Sequence, residues 1–201
     1  MEVTGIILAG GMSRRLGRNK VLVPMGGEPL VNRVNGRLSQ VADRTVVVVN
    51  SRERASELEL PDKVRVVVDI HPDRATLGGI FTGLSEADTQ WSIVVGCDMP
   101  FLNVTLLRKM LEFREGYDAV VPVVDGYPEP THALYSRTCL PAIERKVLAN
   151  DLKIARFYDE VRINFLPEAQ VDQLDPEGLS FFNINTPQDL DRANSLIEQG
   201  R

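Results

Sequence analysis

Val3-Thr4-Gly5-Ile6-Ile7-Leu8 runs straight into Ala9-Gly10-Gly11-Met12-Ser13-Arg14-Arg15-Leu16-Gly17-Arg18-Asn19-Lys20. The first segment is apolar almost without interruption, the pattern of a β-strand covered on both faces. The second brings a pair of glycines, a hydroxyl and the cations Arg14, Arg15, Arg18 and Lys20. Adjacent glycines let backbone N–H groups approach an anion with no Cβ in the way. Arginine offers paired donors to phosphate oxygens, and lysine adds a mobile point charge. The carboxyl end of a parallel strand is where open α/β sheets bind ligands. The spacing is neither of the two common phosphate loops. Gly10-Gly11 followed by Gly17 misses G-x-G-x-x-G, and Gly17 leads into Arg18-Asn19-Lys20 rather than Lys-Ser/Thr.

Outward from this loop, short β-branched runs alternate with amphipathic stretches. Val3 to Leu8, Thr45 to Val49, Val64 to Val68 and Ile93 to Val95 read as strands. Pro29 to Val41, Arg52 to Leu60, Gly79 to Ala87 and Val104 to Arg114 carry helical spacing between them. This alternation predicts an α/β fold, a mostly parallel sheet with helices on both sides. Ala119 to Val124 and Thr131 to Tyr135 flank the turn Asp125-Gly126-Tyr127-Pro128, which predicts an antiparallel excursion in the C-terminal half. Leu140 to Leu148 and Leu152 to Tyr158 read as helices, and Val161 to Leu166 as a weaker strand. Thr186 can cap a last helix with Pro187 at its first position and Asp189 in its first turn. With no repeat and no Pro/Gly/Ser-rich linker, residues 1–201 read as one domain.

The chain has 201 residues, 43% of them hydrophobic, with Lys+Arg 23 against Asp+Glu 28 and a formal net charge of -5. A chain this long buries most of its apolar surface, and this composition excludes disordered and low-complexity classes. The acidic balance speaks against nucleic-acid and membrane-surface binding, but not against a small phosphorylated ligand held by local cations. Cys97 and Cys139 are too few for a disulfide framework. The opening residues carry no basic leader and no apolar run reaches membrane-spanning length, so the expectation is a cytoplasmic protein.

The run from Leu8 to Lys20 resembles the L-A-G-G-x-S-x-R-x-G-x-[DN]-K loop of nucleotidyltransferases, most closely the molybdenum cofactor guanylyltransferases. Asn19 stands where Asp is commoner and Leu16 where Met is frequent. Cys97-Asp98-Met99-Pro100-Phe101-Leu102 resembles that family's C-D-M-P-F segment, and Leu77-Gly78-Gly79-Ile80 its P-L-x-G-I loop, with Thr76 in place of Pro. Phe182-Asn183-Ile184-Asn185-Thr186-Pro187 resembles its N-x-N-T-P element. The resemblance spans nearly the whole chain. It implies a Rossmann-like three-layer sandwich of the nucleotide-diphospho-sugar transferase type. Residues up to about 115 would form a nucleotide-binding half, and residues 116–201 an acceptor-binding half.

By position, the resemblance implies that Leu8, Ala9, Gly10, Gly11 and Ser13 wrap GTP, with Asn50, Asp69 and Gly79 at the nucleoside. Arg15 and Lys20 would neutralise the triphosphate. Asp98, a carboxylate at the carboxyl end of a buried strand, would hold Mg²⁺ against phosphate oxygens. Asn183, Asn185 and His132 would lie beside a molybdopterin-type acceptor. For His132 a satisfied strand histidine is the equal alternative. His71 reads as a surface-loop residue, Trp91 as a core-edge anchor, and Arg52, Glu53, Arg54 and Glu57 as one solvated helical face.

The activity this implies is transfer of GMP from GTP to the phosphate of molybdopterin with release of pyrophosphate. A sibling transferase using CTP or loading a sugar phosphate stays open, as does a non-catalytic nucleotide-binding module that delivers cofactor. The expected partners are the two substrates and, transiently, a molybdoenzyme or its chaperone, with the protein a monomer or weak homo-oligomer.

Overall fold

The computed structural model describes residues 2–11 and 20–201, with Lys20 described by its backbone alone. In chain order the elements are β1 (Val3–Leu8), β2 (Pro24–Met25), β3 (Glu28–Pro29), α1 (Leu30–Leu38), β4 (Arg44–Val49), α2 (Arg52–Ser56), β5 (Val64–Val68), α3 (Ala75–Glu86) and β6 (Trp91–Gly96). They continue with α4 (Val104–Glu112), β7 (Ala119–Val124), β8 (Tyr127–Pro128), β9 (His132–Ser136), α5 (Leu140–Leu148), β10 (Ile163–Leu166), α6 (Glu168–Leu174) and α7 (Pro187–Glu198). The main sheet has the order β10-β7-β9-β6-β1-β4-β5, with β8 hanging on β7. Its core, β6-β1-β4-β5, is parallel, and β9 runs antiparallel between β6 and β7.

The antiparallel insertion originates in the Asp125-Gly126 turn. Both residues have positive φ, 50° and 77°, so the chain reverses tightly from β7 into β8. It then returns through β9, which lies against β6 instead of continuing the parallel order.

The continuous apolar runs are explained by two buried layers. Ile7, Val47, Val49, Ile93 and Val95 face one, packed on α1 and α4 through Leu30, Val34, Leu106 and Met110. Ile6, Val46, Val48 and Val94 face the other, packed on α3 and α5 through Ile80, Leu84, Ile143 and Val147. Helix α3 crosses β1 so closely that a Cβ on Gly83 would stand 2.5 Å from Ile6 Cγ2. That close approach fixes where the first turn of α3 meets the end of β1.

Several boundaries differ from the sequence reading. Helix α2 stops at Ser56 rather than Leu60. Helix α1 starts at Leu30, since Pro29 pairs in the β2–β3 hairpin that turns on Gly26-Gly27, φ 59° and 88°. The stretch from Leu152 to Tyr158 is not an α-helix; a 3-10 segment covers Ile154–Glu160. Strand β6 begins at Trp91, whose ring is buried at the core edge. Helix α7 starts as expected: Asp189 N–H donates to Thr186 Oγ1 (3.2 Å), and Thr186 N–H donates to the Asp189 carboxylate (2.8 Å). Among the described residues no helix is long and apolar enough to cross a membrane.

Candidate active site

The parallel ladder continues one residue past the strands and gathers their ends. Ala9 N–H donates to Val48 O (2.8 Å), Asp69 N–H to Val49 O (2.7 Å) and Cys97 N–H to Leu8 O (3.1 Å). Ala9, Gly10, Gly11, Asn50, Asp69 and Asp98 therefore leave the sheet at one edge, where an open α/β sheet takes its ligand.

On one side they form a corner lined by small groups. A Cβ on Gly10 would lie 3.7 Å from Asn50 Cβ, and one on Gly79 would lie 3.3 Å from Leu8 Cδ2 and 3.8 Å from Asp69 Oδ2. Leu8, Gly10, Asn50, Asp69 and Gly79 are thus brought together. Asn50 Oδ1 is buried and has no hydrogen-bond partner among the described residues. Asp69 is only 9% exposed, and its Oδ1 accepts from Thr82 Oγ1 (2.6 Å) and His71 N–H (2.9 Å). Gly79 does not sit in a loop, as the resemblance led us to expect, but in the first turns of α3, which starts at Ala75. Arg54, read from sequence as part of a solvated face, instead donates its guanidinium to Gly11 O (3.0 Å) and ties α2 to the glycine loop.

On the other side Asp98 joins this corner to a C-terminal strap. Its backbone carbonyl accepts from Ile184 N–H (3.0 Å), which places Asn183 and Asn185 on either side of that contact. Asn183 is half-buried and donates its amide to Phe181 O (2.9 Å). Asn185 is exposed, its backbone N–H bound to Asp189 Oδ2 (2.9 Å). The Asp98 carboxylate folds back over Gly96, where an added Cβ would collide with Oδ1. Cys97 is buried.

His132 resolves the two readings left open. Its ring is 0% exposed, packs against Phe181 at 4.5 Å between centroids, and places Nε2 2.6 Å from Ser180 Oγ. Burial pushes its pKa down to about 4, so it is neutral near pH 7. With no exposed surface it offers an acceptor nothing to touch, so of the two equal readings the buried strand histidine is the one its position fits, although its Nδ1 has no hydrogen-bond partner among the described residues.

Ser180, Asn103 and Asp175 complete that support. Ser180 Oγ accepts from Asn103 N–H (2.9 Å), and Ser180 N–H donates to Asp175 Oδ2 (2.9 Å). Asn103 also caps α4 by accepting from Leu106 N–H (3.0 Å), and its amide donates to Leu174 O (2.8 Å). None of the three was marked from sequence. The N-cap position of Asn103, just before an apolar helical run, was the one available signal.

Ser13 and Arg15 lie outside the described residues, as does the Lys20 side chain; the Lys20 backbone opens a 3-10 turn over Lys20–Leu22. Among the described residues no group of three or more His, Cys, Asp or Glu side chains is placed to hold a metal ion. What the edge presents is a compact corner with buried hydrogen-bonding groups, one carboxylate at its border, and a polar strap beyond it. That suits two ligands meeting at a charged centre.

Comparison with known proteins shows the family. Residues 5–164 match the family described as a MobA-like NTP transferase domain. A protein of Pelotomaculum thermopropionicum named "Probable molybdenum cofactor guanylyltransferase" is 38% identical over 201 residues, covering 100% of this chain and 96% of its own. The molybdenum cofactor guanylyltransferase of Desulfosudis oleivorans is 35% identical over 202 residues, covering 99% of this chain and 98% of its own. A solved structure of molybdopterin-guanine dinucleotide biosynthesis protein A from Archaeoglobus fulgidus is similar with a TM-score of 0.83 at 29% identity, covering 98% of this chain and 99% of that one. With matches of this length and identity on a nucleotidyltransferase fold, the chain belongs to the molybdenum cofactor guanylyltransferase family of MobA-like NTP transferases.

Proposed function

We propose that this protein transfers GMP from GTP to the phosphate of a molybdopterin-type acceptor and releases pyrophosphate. The observation that carries this reading is the position of Asp98. The residue before it is hydrogen-bonded to Leu8 in the nucleoside corner, and its own carbonyl is bonded to Ile184 in the Asn183–Asn185 strap. A carboxylate between two binding surfaces is where an α-phosphorus and an attacking phosphate would meet.

The reaction needs no covalent enzyme intermediate. A phosphate oxygen of the acceptor attacks the α-phosphorus in line as the bond to the bridging oxygen of pyrophosphate breaks. A phosphate monoester with a second pKa of about 6 is already ionised near pH 7, so the nucleophile requires no proton removal. The chain's task is to position two ligands and compensate charge. Leu8, Ala9, Gly10, Asn50, Asp69 and Gly79 would hold the nucleoside, with Arg54 bracing the glycine loop through Gly11. Gly11, Ser13, Arg15 and Lys20 would bind the triphosphate, the two cations countering charge on the departing pyrophosphate. Asn183 and Asn185 would face the acceptor, with His132 and Ser180 supporting their strap from beneath.

Asp98 fits a Mg²⁺ site of the kind that relies on one carboxylate, substrate phosphates and water, because it offers a hard oxygen donor at the border of both surfaces. Bound there, the ion would supply charge neutralisation to phosphate oxygens. A thermal-shift series with GTP, CTP, ATP and UTP plus Mg²⁺ tests the nucleotide assignment. GTP should give the largest stabilisation, and a larger one from CTP would end the guanine reading.

A further inference from the structure

Thr82 was marked neither by the sequence pattern nor by the resemblance, yet it makes a short side-chain contact in the nucleoside corner. It lies on α3, the helix whose first turns carry Gly78 and Gly79, and is 1% exposed. Its Oγ1 donates to Asp69 Oδ1 at 2.6 Å and accepts from Ile70 N–H at 3.1 Å. With one lone pair of Oγ1 engaged by a backbone donor, its single proton is directed to the carboxylate. His71 N–H adds a second donor to the same oxygen at 2.9 Å. Both fixed donors therefore act on Oδ1. Oδ2 is the oxygen on the Gly79 and Leu8 side, 3.8 Å from the place a Cβ on Gly79 would take.

We propose that Thr82 is a positioning residue for base selection: it locks Asp69 so that Oδ2 faces the base and accepts from guanine's donor edge. This rests on the reading of the corner as the nucleoside site and names how that site would tell one purine from another. Guanine presents an N–H and an exocyclic NH₂ side by side on its Watson–Crick edge, two donors for an acceptor-only carboxylate. Adenine presents an unprotonated ring nitrogen at the corresponding place, and hypoxanthine keeps the N–H but lacks the NH₂. A carboxylate free to rotate would lose much of this discrimination, since its orientation would have to be fixed at each binding event. Thr82 fixes it beforehand, and from the same helix that forms the floor under the base.

The test uses the full chain with Thr82→Val, Thr82→Ala and Thr82→Ser, reading kcat and KM for GTP and ITP and the thermal shift with each nucleotide. Thr82→Val keeps the shape and removes the hydroxyl. Thr82→Ala and Thr82→Ser differ from each other by a single oxygen, so they isolate the hydroxyl even if valine is poorly tolerated. Loss of one hydrogen bond to a charged group predicts a GTP KM raised about 10-fold in the Val and Ala variants, with a smaller change in kcat. The preference for GTP over ITP should flatten by a similar factor, and Thr82→Ser should restore it. Val and Ala variants that keep the wild-type GTP/ITP ratio would overturn the proposal, whatever their unfolding midpoints. So would a Ser variant that behaves like Ala. A wild-type protein that binds neither guanine nor hypoxanthine nucleotide would instead overturn the reading of the site on which it rests.

Discussion

The buried His132 makes a sharp prediction about stability and pH. Its pKa is about 4 in the folded chain, lowered by desolvation, against a usual value of 6.5. The unfolded state therefore binds more protons between those limits, so stability falls as pH falls through this window. The loss begins near pH 6.5, runs at about 1.4 kcal/mol per pH unit, and is complete below about pH 4. The difference of 2.5 units corresponds to about 3 kcal/mol, a large share of the 5–15 kcal/mol typical of a folded domain.

Other ionisable groups shift their own pKa or lie near the ring, so the effect must be isolated. Glu129 has a raised pKa, from burial and from Asp125, and acts in the opposite direction. Asp118, bound by Arg162, is held down to about 2 and loses its contribution only at lower pH. The Asp175 carboxylate is joined to Ser180 and so to the ring itself. His132→Gln removes the titrating ring and leaves those groups in place. Urea unfolding of both proteins from pH 7.5 to pH 4 gives a difference of differences. It should reach about 3 kcal/mol, with the wild type losing more as pH falls. A pH-dependent difference below about 1 kcal/mol would refute the claim that the ring is buried neutral.

Two further outcomes concern substrates. Gly79→Val places branched carbons where a single Cβ already reaches 3.3 Å from Leu8 Cδ2, so GTP KM should rise more than kcat falls; steady-state kinetics with unchanged KM would take this turn of α3 out of the base site. Lys20→Ala should lower kcat by about 10²–10³ with a smaller change in GTP KM, as expected for one preorganised donor to developing charge, and Lys20→Arg should rescue it only in part; a large stability loss with normal kcat would make Lys20 structural.

The parts of the fold legible in the sequence are those whose pattern is local. Val46 to Val49 alternate between two covered faces, so every residue is apolar and the strand is plain. The beginning of β6 was missed because Ser92 breaks the apolar run although it is buried. The hairpin at Gly26-Gly27 was overlooked because its strands are two residues each, too short for alternation to show. At the site, Asn50 and Asp69 were visible because each comes directly after a strand, and Asp98 because it comes two residues after one. The long-range contacts around them were not. Thr82 meets Asp69 across 13 positions, His132 meets Ser180 across 48, and Asn103 meets Ser180 across 77. A threonine inside a helix and a serine in a short 3-10 turn carry no local mark of such partners. Arg54 misled for a related reason: its charge fits a solvated face, and only the tertiary path of α2 brings it to Gly11.

The most direct test of the account is formation of the guanine dinucleotide product from GTP and molybdopterin, followed by mass spectrometry together with pyrophosphate release. The wild-type protein with Mg²⁺ should form the product and pyrophosphate in equal amounts, from GTP in preference to CTP and only when acceptor is present. Asp98→Asn should abolish both while unfolding at the wild-type midpoint, because a neutral amide is a poor Mg²⁺ ligand. Full product formation by a folded Asp98→Asn protein, or tight GTP binding by wild type with no product at all, would contradict it.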